Sequence, residues 1–410
     1  MTIARETDIA IAGGGLVGLT MACALADAGF DVVVLDGKPA PARRDAAFDG
    51  RASAIAAASQ RMLARLGVWD ALAPCAQPIL EIRVSDGDAP LFLHYDHADV
   101  GEGPLGYMVE NRDTIAALHE RAAALPGLAP VAPAAVDQLE RARGRIVLGW
   151  PGGRIAARLA IAADGRASRL RALAGIGSTT HDYRQTGIVC TVRHERPHQG
   201  IAHERFLPAG PFAILPLAGD RASLVWTERA DLAPRLLALD DTAFLEELGD
   251  RFGDFLGGLA LEGPRWSYPL ALVRAERVVD DRLALIGDAA QAIHPIAGQG
   301  FNLGLRDVAT LAHVLAEGRA VGLEPGDAGP LAHYERWRRT DTVVLATVTD
   351  GLNRLFANDS APLRLARDVG LALVDRAPPL KRVFMRHAMG TFGTLPRLLA
   401  ADHANTVRRT

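Results

Sequence analysis

Residues 9–26 carry no charge for 18 consecutive positions, and this run leaves few folds open. A membrane-spanning helix needs about 20 apolar residues, so the length alone permits one. Gly13, Gly14, Gly15 and Gly18 interrupt the run and favour a strand, a tight turn and a helix instead. Gly13-x-Gly15-x-x-Gly18 follows an apolar strand at 7–12 and opens a helix over 16–28. Glycines there permit a sharp turn and close approach of the backbone to a ligand. A second strand at 31–35 ends in Asp36. An acid about 20 residues beyond such glycines can accept a hydrogen bond from a ribose hydroxyl. Strand, turn, helix, strand and acid together predict an adenine-dinucleotide site on an α/β sheet. They do not choose FAD over NAD.

A second run, residues 282–307, bears on that choice. A buried strand, Leu283 to Ile286, ends in Gly287-Asp288, and a glycine-rich loop leads into an amphipathic helix. A helix N-terminus offers free N–H groups and partial positive charge. Asp288, at the strand's end, can accept hydrogen bonds from a polyol. Such a loop suits a flat cofactor that gains negative charge in its cycle, as flavin does on reduction. Gly298, Gly300, Phe301 and Asn302 are the candidate cofactor contacts of this helix start.

Between these runs the chain changes character. Residues 49–69 read as a loop entering a helix that ends near Gly67. Arg51 is a candidate contact for flavin or pyrophosphate, with a solvated helix-start arginine as the alternative. Residues 79–95 read as a strand pair. Tyr107 to Glu110 leads to a helix near Asp113, with Arg112 at its start. Strands at 145–150 and 155–163 close on Asp164-Gly165, followed by Ser168 and Arg171. Alone Asp-Gly is a common turn; after an apolar strand, and in this order, it is a candidate cofactor loop. Strands at 187–192, 202–206, 212–217 and 222–227, then a helix at 241–252, predict an antiparallel sheet unlike its flanks.

The string His294-Pro295-Ile296-Ala297-Gly298-Gln299-Gly300-Phe301-Asn302-Leu303-Gly304 resembles the second FAD motif of aromatic-ring flavoprotein monooxygenases, in wording that looks like their ubiquinone-biosynthesis hydroxylase branch. Phe48-Asp49-Gly50-Arg51-Ala52 and His203-Glu204-Arg205-Phe206 look most like the members acting on 2-polyprenyl-6-methoxyphenol. The resemblance runs over essentially the whole chain. It implies an α/β fold: a discontinuous, Rossmann-like FAD-binding domain (1–78, 105–180, 271–335), an inserted antiparallel-sheet substrate domain (79–104, 181–270) and a helical region (336–410). It implies non-covalent FAD, NAD(P)H as co-substrate without a nicotinamide domain of its own, and O2. A flavin C4a-hydroperoxide would then hydroxylate a polyprenylated phenol. Arg112, Asp164 and Gly165 would contact the cofactor side, and Asp288 the ribityl chain. Pro295 would shape the wall beside the reactive flavin carbon. His294, with an ordinary pKa near about 6.5, is a candidate proton carrier or a hydrogen-bonded loop residue. The acceptor of the phenol proton has no name at this level.

Composition narrows the rest. Net charge is −3 with a pI of about 6.5, which gives no signal for nucleic acid. Three scattered cysteines fit a reducing compartment, and no ligand set for a metal is visible. No signal peptide is read before the first strand, so the expectation is cytoplasmic. Residues 361–389 mix Leu and Val with Arg364, Arg367, Arg376, Lys381, Arg382 and Arg386. They could lie on the inner face of the plasma membrane, meet a ubiquinone-biosynthesis complex, or pack on the FAD domain. The rival functions are hydroxylation of a soluble aromatic, a non-catalytic flavoprotein subunit, and an NAD-dependent dehydrogenase that leaves 282–307 unexplained.

Overall fold

The computed structural model describes residues 5–39, 50–87, 92–101, 103–293, 299–339, 381–382, 385–386, 389–391 and 393–401. The chain opens with β1 (Arg5–Ala12), α1 (Leu16–Asp27) and β2 (Val32–Leu35). Next come β3 (Ala52–Ala56), α2 (Ala57–Arg65), α3 (Trp69–Leu72), β4 (Gln77–Ile79), β5 (Glu81–Asp86) and β6 (Phe92–Asp96). They are followed by β7 (Gly106–Glu110), α4 (Asn111–Ala124), β8 (Leu128–Val131), β9 (Gln138–Ala142), β10 (Arg145–Trp150), β11 (Gly153–Ala162) and α5 (Arg169–Leu173). The middle of the chain holds β12 (Ser178–His194), β13 (Ile201–Leu207), β14 (Gly210–Leu217), β15 (Arg221–Arg229), α6 (Ala233–Leu237) and α7 (Asp241–Phe252). It returns through β16 (Leu259–Ala275), β17 (Val279–Asp280), β18 (Leu283–Leu285), β19 (Gln291–Ala292) and α8 (Gln299–Ala320). Residues 328–339 are also helical.

The first sheet runs β17-β18-β11-β1-β2-β8, with β10 and β9 branching from β11. β1 is parallel to both β2 and β11, and β11 to β18. Its centre is apolar on both faces, as a covered parallel sheet must be. Ile9 and Ile11 pack with Leu19 and Leu25 of α1 and Leu305 and Leu311 of α8. Ala10, Ala12, Val33 and Leu35 point the other way, toward Ile146, Leu148 and Leu170. The architecture is thus mixed α/β, with the turns after β1, β11 and β18 at the same end of neighbouring parallel strands.

The second sheet runs β19-β16-β12-β15-β14-β13-β5-β6 and is antiparallel except where β13 meets β5. Alternation splits its faces. Ile188, Phe212, Ile214 and Trp226 pack on Phe244, Leu248 and Phe252 of α7. Ala202, Ala213 and Leu215 face Ile79 and Met108 of a small third sheet, β3-β7-β4.

Two strands depart from the sequence reading. β3 falls where a loop was expected; alanine-rich Ala52–Ala56 has little pattern of its own, and pairing with β7 makes it a strand. β16 falls where no strand was read between the helix at 241–252 and the strand at 283; Gly263, Pro264 and Pro269 break its local pattern. It spans 17 residues. Its outer side meets only Gln291 and Ala292 of β19, so prolines are tolerated along a largely open edge. Residues 9–26 are strand, turn and helix, and no described helix is long and apolar enough to cross a membrane. The membrane-contact segment lies outside the described residues up to 380. Beyond it Lys381 is paired with Asp99 at 3.0 Å, while Arg382 and Arg386 are exposed.

Candidate active site

The turn after β1 is built by close packing. Gly13 has φ +109°, and its N–H donates to the Leu35 carbonyl at 2.8 Å. A Cβ on Gly13 would strike the Ala163 backbone, and one on Gly18 the Gly13 carbonyl. Gly15 differs: a Cβ there meets nothing, and its backbone lines a cavity of about 1060 Å³. It is also the N-cap of α1, which has no side-chain cap and no acid in its first turn. The helix end is therefore left for an anion. Asp36 accepts from the Gly14 N–H at 3.1 Å and the Lys38 N–H at 2.9 Å. It braces the turn from behind and is not among the cavity-lining residues.

The turn after β18 is held by residues the sequence reading missed. Gly287, at φ +58°, donates its N–H to Asp307 at 2.8 Å. Asp307 is buried and bound by Arg338 at 2.6 Å, and the Tyr334 hydroxyl donates to the Leu285 carbonyl at 2.8 Å. A Cβ on Gly287 would lie 3.1 Å from Val17, and one on Gly304 2.6 Å, so Val17 wedges between this turn, α1 and α8. Asp307 closes the run already singled out; Arg338 and Tyr334 had no local signal.

Asp288 stands on the cavity wall, open to the cavity yet surrounded by protein. That desolvation raises its carboxyl above the ordinary range, against the lowering pull of Arg166 and Arg51. Gly300 and Phe301 line the same cavity at the start of α8. Asn302 is buried: its side chain donates to the Ala54 carbonyl at 2.7 Å and accepts from the Ala56 N–H at 2.9 Å. Its side chain thus clamps α8 to β3, leaving only its backbone for the cofactor. Pro295, His294 and Gly298 lie outside the described residues.

Asp164 also works from inside. It accepts from the Ser168 hydroxyl at 2.5 Å and the Leu170 N–H at 3.0 Å, while Ser168 caps α5. Arg171 ties the loop to the Ala289 carbonyl at 2.9 Å. Gly165, at φ +85°, and Arg166 face the cavity. Across from them lie Arg51, 5.6 Å above the Tyr268 ring, and Arg112. Arg112 pairs with buried Glu110 at 3.1 Å, and the same carboxylate oxygen meets Arg221 of β15 at 3.2 Å. Arg221 continues to Glu262 of β16 at 3.1 Å. This bridge between the sheets had no signal in local sequence.

The opposite wall is the open face of the second sheet. Gly187, Val189, Ala213, Leu215, Val225 and Leu270 supply apolar surface, with Ser223 and Tyr268 among them. Register places Ala213 opposite Val225, and Val225 opposite Val189. The cavity is at the upper end of the roughly 300–1,000 Å³ typical of small-molecule sites. Glu81, His94 and Asp96 gather on β5 and β6 in a metal-like group, but Arg83 also donates to Glu81, at 2.8 Å. An exposed glycine backbone at an uncapped helix, facing arginines and a carboxylate at the next turn fit a dinucleotide with a flat, polar ring system. The apolar wall fits an aromatic ring beside it.

A family described as FAD binding domain matches residues 6–342. The chain is 54% identical to the ubiquinone hydroxylase UbiL of Rhodospirillum rubrum, over 94% of this chain and 90% of that protein. It is 36% identical to the 3-demethoxyubiquinol 3-hydroxylase of Escherichia coli, over 94% and 99%. Among solved structures, the p-nitrophenol 4-monooxygenase PnpA of Pseudomonas putida shares the fold at a TM-score of 0.78 and 19% identity, over 95% of this chain and 100% of that one. With the family matched over most of its length and relatives at 54% and 36% identity covered almost end to end, the chain belongs to the FAD-dependent ubiquinone-biosynthesis hydroxylases.

Proposed function

We propose that the protein hydroxylates the ring of a lipophilic polyprenylated phenol on the way to ubiquinone, with NAD(P)H and O2. One oxygen atom enters the ring and the other leaves as water, with NAD(P)H oxidised. The observation that carries this reading is one cavity with two unlike walls: cofactor turns on one side, an apolar sheet face on the other. Bound FAD supplies the oxygen chemistry; the protein supplies binding, orientation and electrostatics. Asp288 would hold the ribityl hydroxyls, and Arg51, Arg112 and Arg166 would balance the cofactor's negative charge. Gly15 and the α1 N-terminus would take the pyrophosphate. The backbone N–H groups of Gly300, Phe301 and Asn302 would face the flavin's polar edge. Val189, Leu215, Val225 and Leu270 would keep water from the ring and orient it.

Purified, FAD-loaded protein given prenylphenols with NAD(P)H should yield a product heavier by one oxygen, identified with its ring position by mass spectrometry and NMR. Equal kcat/KM for soluble aromatic acids would move the substrate class; NAD(P)H oxidation yielding only peroxide with every prenylphenol would refute hydroxylation. A prenylated substrate also implies work at a membrane surface or in a lipid-handling complex. Charge reversal at exposed Arg382 and Arg386 should then weaken liposome binding with FAD content unchanged. Undiminished binding would remove that contact.

A further inference from the structure

Glu204 is buried on the cavity-facing side of the second sheet without a hydrogen bond or ion pair among the described residues. Its place follows from register. Glu204 lies opposite Ala213 on β14 and Val84 on β5. Residues directly opposite share a face, with Cβ atoms about 4.5–5.5 Å apart. Ala213 lines the cavity, and so do Val225 and Val189, the next two residues of the same row. The cavity wall thus ends at a single methyl group, and the next side chain beyond it is a longer one carrying a carboxyl.

Its chain neighbours point to the other face and leave it alone. His203 packs against Phe255 at 4.7 Å, and the Arg205 guanidinium donates to the Arg251 carbonyl at 2.5 Å. The titratable groups on its own face are Asp86, one step along β5, and Tyr95 on β6, opposite Ile82, with Arg221 and Arg229 of β15, Arg193 of β12, and Glu262 and Tyr268 of β16 on the same face two or more strands away. The small third sheet brings Glu110, with Arg221, to the far end of that face beside Leu217. A buried carboxyl without a partner costs stability, and the fold has no visible use for this one.

We propose that Glu204 accepts the proton of the substrate's ring hydroxyl. The phenol O–H bond breaks, a carboxyl O–H bond forms, and the electron pair stays on the phenolate oxygen, enriching the ring. No redox change is involved. Burial pushes the Glu204 carboxyl up to about 8, closer to a phenol's pKa of about 10 than an ordinary glutamate is. The inference rests on the proposed function, and its test separates the two.

FAD-loaded wild type, Glu204→Gln and Glu204→Asp would be compared between pH 6 and pH 9.5 on a prenylphenol. Wild-type kcat should rise with pH through about 8 and level off. Glu204→Gln should lose that rise and fall by roughly 100-fold or more, with FAD affinity and KM little changed. Should the Gln variant fail to hold FAD, Glu204→Asp decides: a lower kcat with the inflection kept supports the role. A second readout needs no turnover. In oxidised enzyme without NAD(P)H, a bound prenylated nitrophenol should show the ionised band in wild type and the neutral one in Glu204→Gln. Wild-type kcat, pH profile and nitrophenol spectrum in the Gln variant would overturn the assignment. A wild type inactive on prenylphenols, yet ionising the nitrophenol through Glu204, would fault the proposed function and keep the base.

Discussion

Asp288 sits on a cavity wall shared with Arg51 and Arg166, where the proposed cofactor's ribityl chain would lie. Replacing it by Ala removes hydrogen bonds to a charged acceptor, worth about 1.5–3 kcal/mol. FAD affinity, measured by flavin fluorescence on titration into apoprotein, should weaken roughly ten- to a hundred-fold. An unchanged Kd would remove Asp288 from the cofactor set. At this scale the tight turn at Gly13 and Gly18, the open backbone of Gly15 and the cavity position of Asp288 were legible, because each is set within a few residues of the strand and helix that define it. Asp164 and Asn302 were singled out as well, and their side chains bond the protein's own backbone. The spacing of a motif shows which residues gather at a turn; it does not show which way each side chain is satisfied. Glu204 was quoted only as part of a resemblance, since nothing in its own strand tells that its neighbour Ala213 borders a cavity.

Helix α8 is held at its start by Asn302, which bonds both partners on β3. Asn302→Ala leaves a buried carbonyl and a buried N–H unpaired, each costing about 1–3 kcal/mol. Thermal unfolding should shift down, and FAD release should quicken because Gly300 and Phe301 lose their fixed place. A variant with the wild-type Tm would show that β3 does not anchor this helix. Elements with a strong local signal, such as the uncharged, glycine-punctuated run of β1 and α1 and the amphipathic α7, were readable in the sequence. β3 and β16 were not: one is mostly alanine, and the other is broken by Gly263, Pro264 and Pro269. Both owe their form to the strands beside them, and pairing partners far along the chain leave no local pattern.

Across the whole molecule, the Arg112–Glu110–Arg221–Glu262 chain joins the Arg112 side of the cavity to the second sheet. Arg221→Gln leaves the buried Glu110 carboxylate with Arg112 as its remaining ion-pair partner among the described residues, and should cost about 1–3 kcal/mol of stability. Arg112 would then be drawn toward Glu110, and FAD should bind more weakly in the same titration. Arg221→Lys, which keeps the charge but loses the fork, should fall between. Equal FAD affinity in all three proteins would limit the bridge to folding.

β12 and β16 are each 17 residues long and pair from Ser178–Ala275 at one end to His194–Leu259 at the other. At the Ala275 end β16 also carries β19, just after the Asp288 turn; further along it bears Tyr268 and Leu270 of the substrate wall. The ribbon carries two register shifts, between Asp182 and Gln185 and between Val189 and Thr191, yet pairs on both sides of each, so it behaves as a beam rather than a hinge. The two walls of the cavity cannot swing apart as separate jaws at this end without breaking its rungs, so a long, greasy substrate of the kind proposed would have to enter past a fixed frame. A graft exchanging the substrate sheet for that of a relative would cut the beam in mid-span. Its ends would have to be rejoined in register before any new specificity could be read.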